Sequence, residues 1–256
     1  MAADQKRSAV EVIKASSGYL AGSLAEELAG SDPAFSKDSQ QLLKHHGIYQ
    51  QDNRDQRAGH SDGSKSSKQY SFMVRTKIPG GKLTSAQLLA ELDLCDEVAD
   101  GTLRITTRQG LQLHGVLKES LRTTLARINA ADMSTLAACG DVERNVMCSP
   151  VPNCRDSVHR KMQDLADQLA EELCPRTMSY RDIWLRDMEN GEKHRITEGA
   201  DPEPLYGRTY LPRKFKTAIG LPGDNSVDLY SQDLGLMAIC ENFEIVGYNV
   251  LVGGGF

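Results

Sequence analysis

An α+β fold, with helices on one face of an antiparallel sheet, is predicted by three features of the sequence. Tyr70–Ile78 alternates so that Phe72, Val74 and Ile78 share one face and Arg75 and Lys77 the other, the two-residue period of a half-buried strand. Gly101–Gly115 alternates in the same way, Leu103, Ile105, Leu111 and Leu113 against Arg104, Thr106, Arg108, Gln112 and His114, with a break into two strands near Gly110. Two helical patterns lie between and after these runs: one capped by Thr84 and carrying Leu88, Leu89, Leu92 and Val98, the other over Ser120–Asn129. Helices that cover the apolar face of such a sheet leave its arginine face turned the other way.

Residues 1–68 read as an N-terminal helical arm and linker. Ala9–Ser16 and Leu20–Leu28 have helical composition, Gly30 is a stop, and Ser36 caps a helix reaching His45. Gly47–Arg57 is too polar to build a core, and Ala58–Ser67, rich in Gly, Ser and Lys, is a loop. The sheet-and-helix unit occupies 69–130. A further unit runs over 131–256, beginning irregularly around Pro150 and Pro152 and continuing as an amphipathic helix, Arg155–Leu173, with a core stripe of Met162, Leu165, Leu169 and Leu173. Strands are predicted near Arg181–Leu185, over Leu211–Ile219 with Lys214 and Lys216 opposite Phe215, and at Val227–Tyr230, Leu234–Cys240 and Glu244–Val252.

With 39% hydrophobic and 25% charged residues the composition is that of a globular protein. A net charge of −5 argues against a general nucleic-acid binder, so any cationic surface must be local. No apolar run is long enough to span a membrane, and the first residues lack an apolar signal core, so a cytoplasmic location is expected. Six cysteines lie at 95, 139, 148, 154, 174 and 240. Cys148 and Cys154 form a C-x5-C pair with no second close pair to complete a metal site, and they read as unpaired structural cysteines. The Arg104–His114 face has two readings on these grounds: a solvated polar surface, or a platform for a large planar polyanion, since arginine offers rigid forks to carboxylates.

Several motifs in a fixed order change that balance. Phe72-Met-Val-Arg-Thr-Lys with Pro79-Gly-Gly, Arg104-Ile-Thr-Thr-Arg-Gln-Gly-Leu-Gln-Leu-His, Gly140-Asp-Val-Glu-Arg-Asn-Val-Met-Cys, Leu211-Pro-Arg-Lys-Phe-Lys and Asn249-Val-Leu-Val-Gly-Gly-Gly resemble the sulfite and nitrite reductase family, its assimilatory sulfite reductase hemoproteins above all. The earlier His46-Gly-Ile-Tyr-Gln-Gln-Asp-Asn-Arg-Asp is similar to the same proteins. The resemblance implies a ferredoxin-like half domain over 69–130 and a siroheme-binding half domain over 131–256. It implies siroheme, a polycarboxylate tetrapyrrole, coupled to a [4Fe-4S] cluster, and the six-electron reduction of sulfite to sulfide. Arg104, Thr106, Arg108, Gln112, His114 and Arg213 then become cofactor-binding residues, and Arg75, Arg144, Lys214 and Lys216 the cations that hold the oxyanion.

Nitrite-reducing members carry Lys-Trp-Asn where this chain has Lys214-Phe-Lys216, and a second lysine suits a doubly charged anion, so the resemblance favours sulfite over nitrite. Tyr70-Ser-Phe-Met and Asn53-Arg-Asp look closer to ferredoxin-dependent members than to those served by an NADPH flavoprotein. The family's cluster ligands, a C-x5-C and a later C-x3-C, belong to a second repeat, and no C-x3-C occurs in these 256 residues. The expectation is therefore a first half that lacks the cluster and the axial ligand and pairs with a C-terminal half. An inactive half-protein or scaffold is the alternative of a different class.

Overall fold

The computed structural model describes residues 7–52, 68–150, 156–180, 184–186, 193–195 and 203–254. Asn53-Arg-Asp, the 58–67 loop and Cys154, on which the sequence reading drew, lie outside the described residues. Four strands, β1 (Ile48–Asp52), β2 (Tyr70–Thr76), β3 (Leu103–Ile105) and β4 (Leu111–Val116), form an antiparallel sheet in the order β1-β2-β4-β3. Three short helices precede it: α1 (Ala9–Ser16), α2 (Leu24–Ala29) and α3 (Lys37–Leu43). Two longer ones, α4 (Ser85–Val98) and α5 (Leu121–Ala130), cover the apolar face. Phe72 and Val74 from β2, Leu111, Leu113 and Val116 from β4, Leu94 from α4 and Ile128 from α5 share one core. α4 begins where expected, Thr84 and Gln87 forming a reciprocal capping box.

The first fifty residues are not a separate arm. β1 pairs along its whole length with β2, and Phe35, Leu43 and Ile48 lie in the same core as Phe72. Only Ile48 of Ile-Tyr-Gln-Gln-Asp faces that core, because the partner strand rather than local hydrophobicity recruits the segment. Lys14 of α1, only 1% exposed, donates from Nζ to Asp141 Oδ2 at 2.9 Å and to the Leu211 carbonyl at 2.7 Å. The N-terminal helix is thereby tied to both segments that carry candidate cations.

Glu27 locks α2 to the start of α3. Its carboxylate accepts from Ser23 Oγ (2.6 Å), Ser39 Oγ (2.6 Å), Ser36 N (2.7 Å) and Ser36 Oγ (2.9 Å). Burial pushes its pKa up, but these donors prevail and bring it down to about 2. The folded-state value lies below the ordinary 4.5, so this contribution is present above pH 4.5 and is lost as pH falls toward 2. Glu27→Gln is expected to flatten the pH dependence of the melting temperature in that window; an unchanged acid limb contradicts the assignment.

The second sheet, order β10-β9-β8-β5, is built from β5 (Met147–Cys148), β8 (Thr217–Gly220), β9 (Leu234–Glu241) and β10 (Glu244–Val252). β5 and β9 both run parallel to β8, while β9 and β10 form an antiparallel hairpin. Helix α6 (Ser157–Glu172) packs on this sheet through Val158, Met162, Ala166 and Ala170, with Leu165 and Leu169 at the flank. A small hairpin joins β6 (Trp184–Arg186) to β7 (Lys193–Arg195). Among the described residues no helix is long and apolar enough to cross a membrane.

Three predicted strands differ. Leu211–Ile219 is a strand only from Thr217, because the backbone N–H groups of Leu211, Phe215 and Lys216 go to Asp141 O, Val142 O and Asp233 Oδ2. Val227–Tyr230 gives way to a short 3-10 turn, Leu229–Ser231, which Asp228 enters at a φ of 47°. Ile105, expected in the core, is 82% exposed at the end of the three-residue edge strand β3.

Candidate functional site

The segment 141–149 is the seam between the two sheets. Val142 O accepts from Phe215 N and Arg144 N donates to Phe215 O, both at 3.0 Å, so the segment lies alongside 214–216 before entering β5. Arg144, 9% exposed, also donates from Nε to Ala138 O (3.2 Å) and from Nη1 to Gly140 O (3.3 Å). Gly140 has a φ of 93°, and a Cβ there would meet the His45 ring at 2.6 Å, so glycine is required for the loop to close over His45.

Arg108 comes from the turn between β3 and β4 and reaches across to this seam. Its Nη1 donates to Gln232 Oε1 at 2.6 Å, and Nη2 to Asn145 O at 2.7 Å and Thr217 O at 3.1 Å. Its Nε is buried without a hydrogen-bond partner. Burial brings its pKa down to about 10, partly offset by Glu143. Asn145 returns the contact, its Nδ2 donating to Arg108 O (2.7 Å) and Ile78 O (2.6 Å). The sequence reading offered Arg108 as a fork for cofactor carboxylates; in the structure both terminal nitrogens are engaged within the protein.

Arg108, Arg144, Lys214 and Lys216 line one cavity of about 600 Å³ together with Met147, Gln232 and one carboxylate, Asp228. The pKa of Lys216 is lowered, first by burial and then by Lys214 and Arg108. Cations crowded into a concave surface resist further positive charge and favour an anion.

The face of the first sheet opposite the α4–α5 core carries a second polar array. Arg75, Gln112 and Arg104 stand in register across β2, β4 and β3. Gln112 turns its amide oxygen to Arg75 Nε (2.9 Å), which leaves its amide nitrogen 3.3 Å from His114 Nε2; His114 Nδ1 in turn meets Gln51 Oε1 at 3.2 Å. The pKa of His114 is lowered by burial and by Arg104. Arg75 Nη1 donates to Cys139 Sγ at 2.9 Å, and the guanidinium lies 5.9 Å from the centre of the Tyr49 ring. Tyr49 hydrogen-bonds Cys139 as well and feels the Arg144 charge, but Arg75 lines a separate pocket with Tyr49 and Gln51 and not the cavity of Arg144 and the two lysines.

Two other predicted residues have local partners. Thr106 Oγ1 accepts from Gly110 N at 3.0 Å and closes the β3–β4 turn. Arg213 is exposed and lies 3.7 Å from Asp233 Oδ1. Sequence reasoning missed Tyr49, Cys139, Glu143, Asn145, Gln232 and Asp233. Glu143 and Asn145 flank Arg144 in a motif already singled out, but Gln232 and Asp233 carry no local signal. Cys148 is buried and its thiol is pushed up to about 12 by that burial. Among the described residues no group of three or more His, Cys, Asp or Glu side chains is arranged to hold a metal ion.

Residues 65–137 match the nitrite/sulfite reductase ferredoxin-like half domain, and residues 140–256 match the nitrite and sulphite reductase 4Fe-4S domain. The chain belongs to the nitrite and sulfite reductase family. It is 47% identical over 247 residues to the sulfite reductase [NADPH] hemoprotein beta-component of Staphylococcus saprophyticus, covering 96% of this chain and 42% of the relative. It is 50% identical over 251 residues to the protein of the same name from Myxococcus xanthus, covering 97% and 43%. The chain thus spans less than half the length of these relatives. The Mycobacterium tuberculosis NirA structure shares the fold, with a TM-score of 0.68 over 96% of this chain and 41% of that one at 20% identity. The matched domain family is named for a 4Fe-4S cluster, and the relatives are named hemoproteins. These relatives are named for NADPH, whereas the sequence motifs look closer to ferredoxin-dependent members.

Proposed function

We propose that this chain supplies the oxyanion-binding cations and one wall of the siroheme pocket of a sulfite reductase that draws its electrons from an NADPH-linked flavoprotein partner. The observation that carries the reading is the convergence of Arg108, Arg144, Lys214 and Lys216 on one cavity. The donor set fits the cofactor: Arg104, Arg75, Gln112 and His114 put cationic, amide and imidazole groups suited to a polycarboxylate side by side on one face of the first sheet. Arg104 is exposed on that face and free to reach a carboxylate, whereas Arg108 braces the wall from behind. Siroheme with its cluster, when bound, supplies the electrons for reduction of sulfite to sulfide.

The protein's own groups do the rest. Arg144 is held rigid by its bonds to the 138–140 loop, so it fixes a sulfite oxygen without reorganising. Lys214 and Lys216 add charge that is strongest where water is displaced. The lowered pKa of Lys216 suits it to give up a proton to an oxygen leaving as water, a role that arginine cannot fill.

The second lysine favours a dianion over nitrite. In the complete enzyme, Lys216→Asn is expected to lower the sulfite-to-nitrite ratio of kcat/KM by about tenfold, the value of one screened charge contact of ~1.4 kcal/mol. An unchanged ratio rules out Lys216 as the discriminating residue.

A further inference from the structure

A parallel ladder joins the 142–148 segment to 215–219, but it is interrupted. Glu143 pairs with Phe215 and Met147 with Ala218, so Arg144, Asn145 and Val146 stand against only Lys216 and Thr217. That is a bulge of one residue, the device by which a strand re-aims its side chains beside a site. Arg144 and Lys216 both leave the backbone inside it. The bulge orphans the backbone of Thr217, and the buried Glu143 and half-buried Arg108 side chains take over. Glu143 Oε1 accepts from Thr217 N at 3.2 Å, Glu143 Oε2 accepts from Thr217 Oγ1 at 2.9 Å, and Arg108 Nη2 donates to Thr217 O at 3.1 Å. Glu143 is 2% exposed and Thr217 fully buried, so water cannot substitute for either contact.

We infer that Glu143 is a positioning residue for the oxyanion site: its carboxylate clamps Thr217 so that Arg144 and Lys216 converge on one cavity, and its charge sets how strongly that cavity holds an anion. The inference rests on the reading of the cavity as an oxyanion site. The groups facing Glu143 are Arg108 from the β3–β4 turn, Lys77 after β2, Thr217, and Tyr206, whose hydroxyl accepts from Glu143 N at 3.2 Å. Burial pushes the Glu143 carboxyl up to about 7, against the pull of Thr217, Arg108 and Lys77. Around neutrality the clamp therefore passes from neutral to charged, and each ionised Glu143 cancels part of the field that attracts the anion. Glutamine can still accept from Thr217 N through Oε1 and donate from Nε2 to Thr217 Oγ1, without the charge, whereas alanine makes neither contact.

The test uses sulfate, whose charge is constant across the pH range, with the 256-residue chain and its Glu143→Gln and Glu143→Ala variants. Calorimetry is expected to give wild-type binding about three- to tenfold weaker at pH 8.5 than at pH 5.5. Glu143→Gln is expected to bind at both pH values as tightly as wild type does at pH 5.5, and Glu143→Ala more weakly than Glu143→Gln throughout. A Glu143→Gln profile as steep as wild type, or equal affinities for the two variants, overturns the inference. Amide exchange at Thr217 separates the clamp from the oxyanion reading because it needs no anion. Exchange at least tenfold faster in Glu143→Ala but not in Glu143→Gln supports the clamp, and unchanged exchange in Glu143→Ala overturns it. If Glu143→Ala does not fold, Thr217 exchange in Glu143→Gln within threefold of wild type, together with the flattened sulfate profile, carries the decision; faster exchange or a steep profile refutes it. Absence of wild-type sulfate binding defeats the oxyanion reading and, with it, the claim about anion affinity, whatever the exchange data say of the clamp.

Discussion

Arg108→Met is expected to cost about 3 kcal/mol of unfolding free energy, roughly 1 kcal/mol for each of the three hydrogen bonds whose acceptor loses its donor. The loss has a specific origin. Methionine fills most of the volume but leaves Asn145 O, Thr217 O and Gln232 Oε1 without their donor in the seam between the sheets. Lysine is a poor substitute, since one ammonium on a flexible stem cannot span three acceptors from separate segments in a planar fork. Urea unfolding measures the effect; a loss below about 1 kcal/mol would mean that the seam does not depend on this guanidinium.

Lys214→Ala combined with Lys216→Ala is expected to weaken sulfite binding about a hundredfold, or ~2.7 kcal/mol. Two unit charges about 5 Å from an anion at an effective dielectric constant near 20 are each worth roughly 3 kcal/mol before salt screening, and screening reduces each to about a factor of ten. The backbone contacts of 215–217 do not use either side chain, so this segment is expected to keep its path in the double variant. Binding measured at two ionic strengths checks the electrostatic origin: the difference between wild type and the double variant should shrink as salt rises.

What the sequence made legible was mostly local. The alternation of Leu111 and Leu113 with Gln112 and His114 predicts both faces of β4, and the Thr84 and Ser36 caps predict two helix starts, because each signal lies within a few residues of its effect. β1 escaped because its place in the sheet is decided by β2, across residues 53–69. The break of 211–216 into irregular backbone escaped because its acceptors are Asp141, Val142 and Asp233. The part played by Arg108 was hidden for the same reason: its acceptors lie 124, 37 and 109 residues away. Family motifs pointed to Arg144, Lys214 and Lys216, which line one cavity, but gave no sign that Arg108 ties the seam together.

The convergence of Arg144, Lys214 and Lys216 on a single anion can be observed directly. Crystals soaked in selenate, an oxyanion with a strong anomalous signal, are expected to show one peak within hydrogen-bonding distance of Arg144 and at least one of the two lysines in the cavity they share with Met147 and Gln232. That peak should vanish in the Lys214→Ala, Lys216→Ala double variant. A cavity without selenium at saturating soak, or a peak that persists when both lysines are removed, would contradict the assignment of this cavity as the oxyanion site.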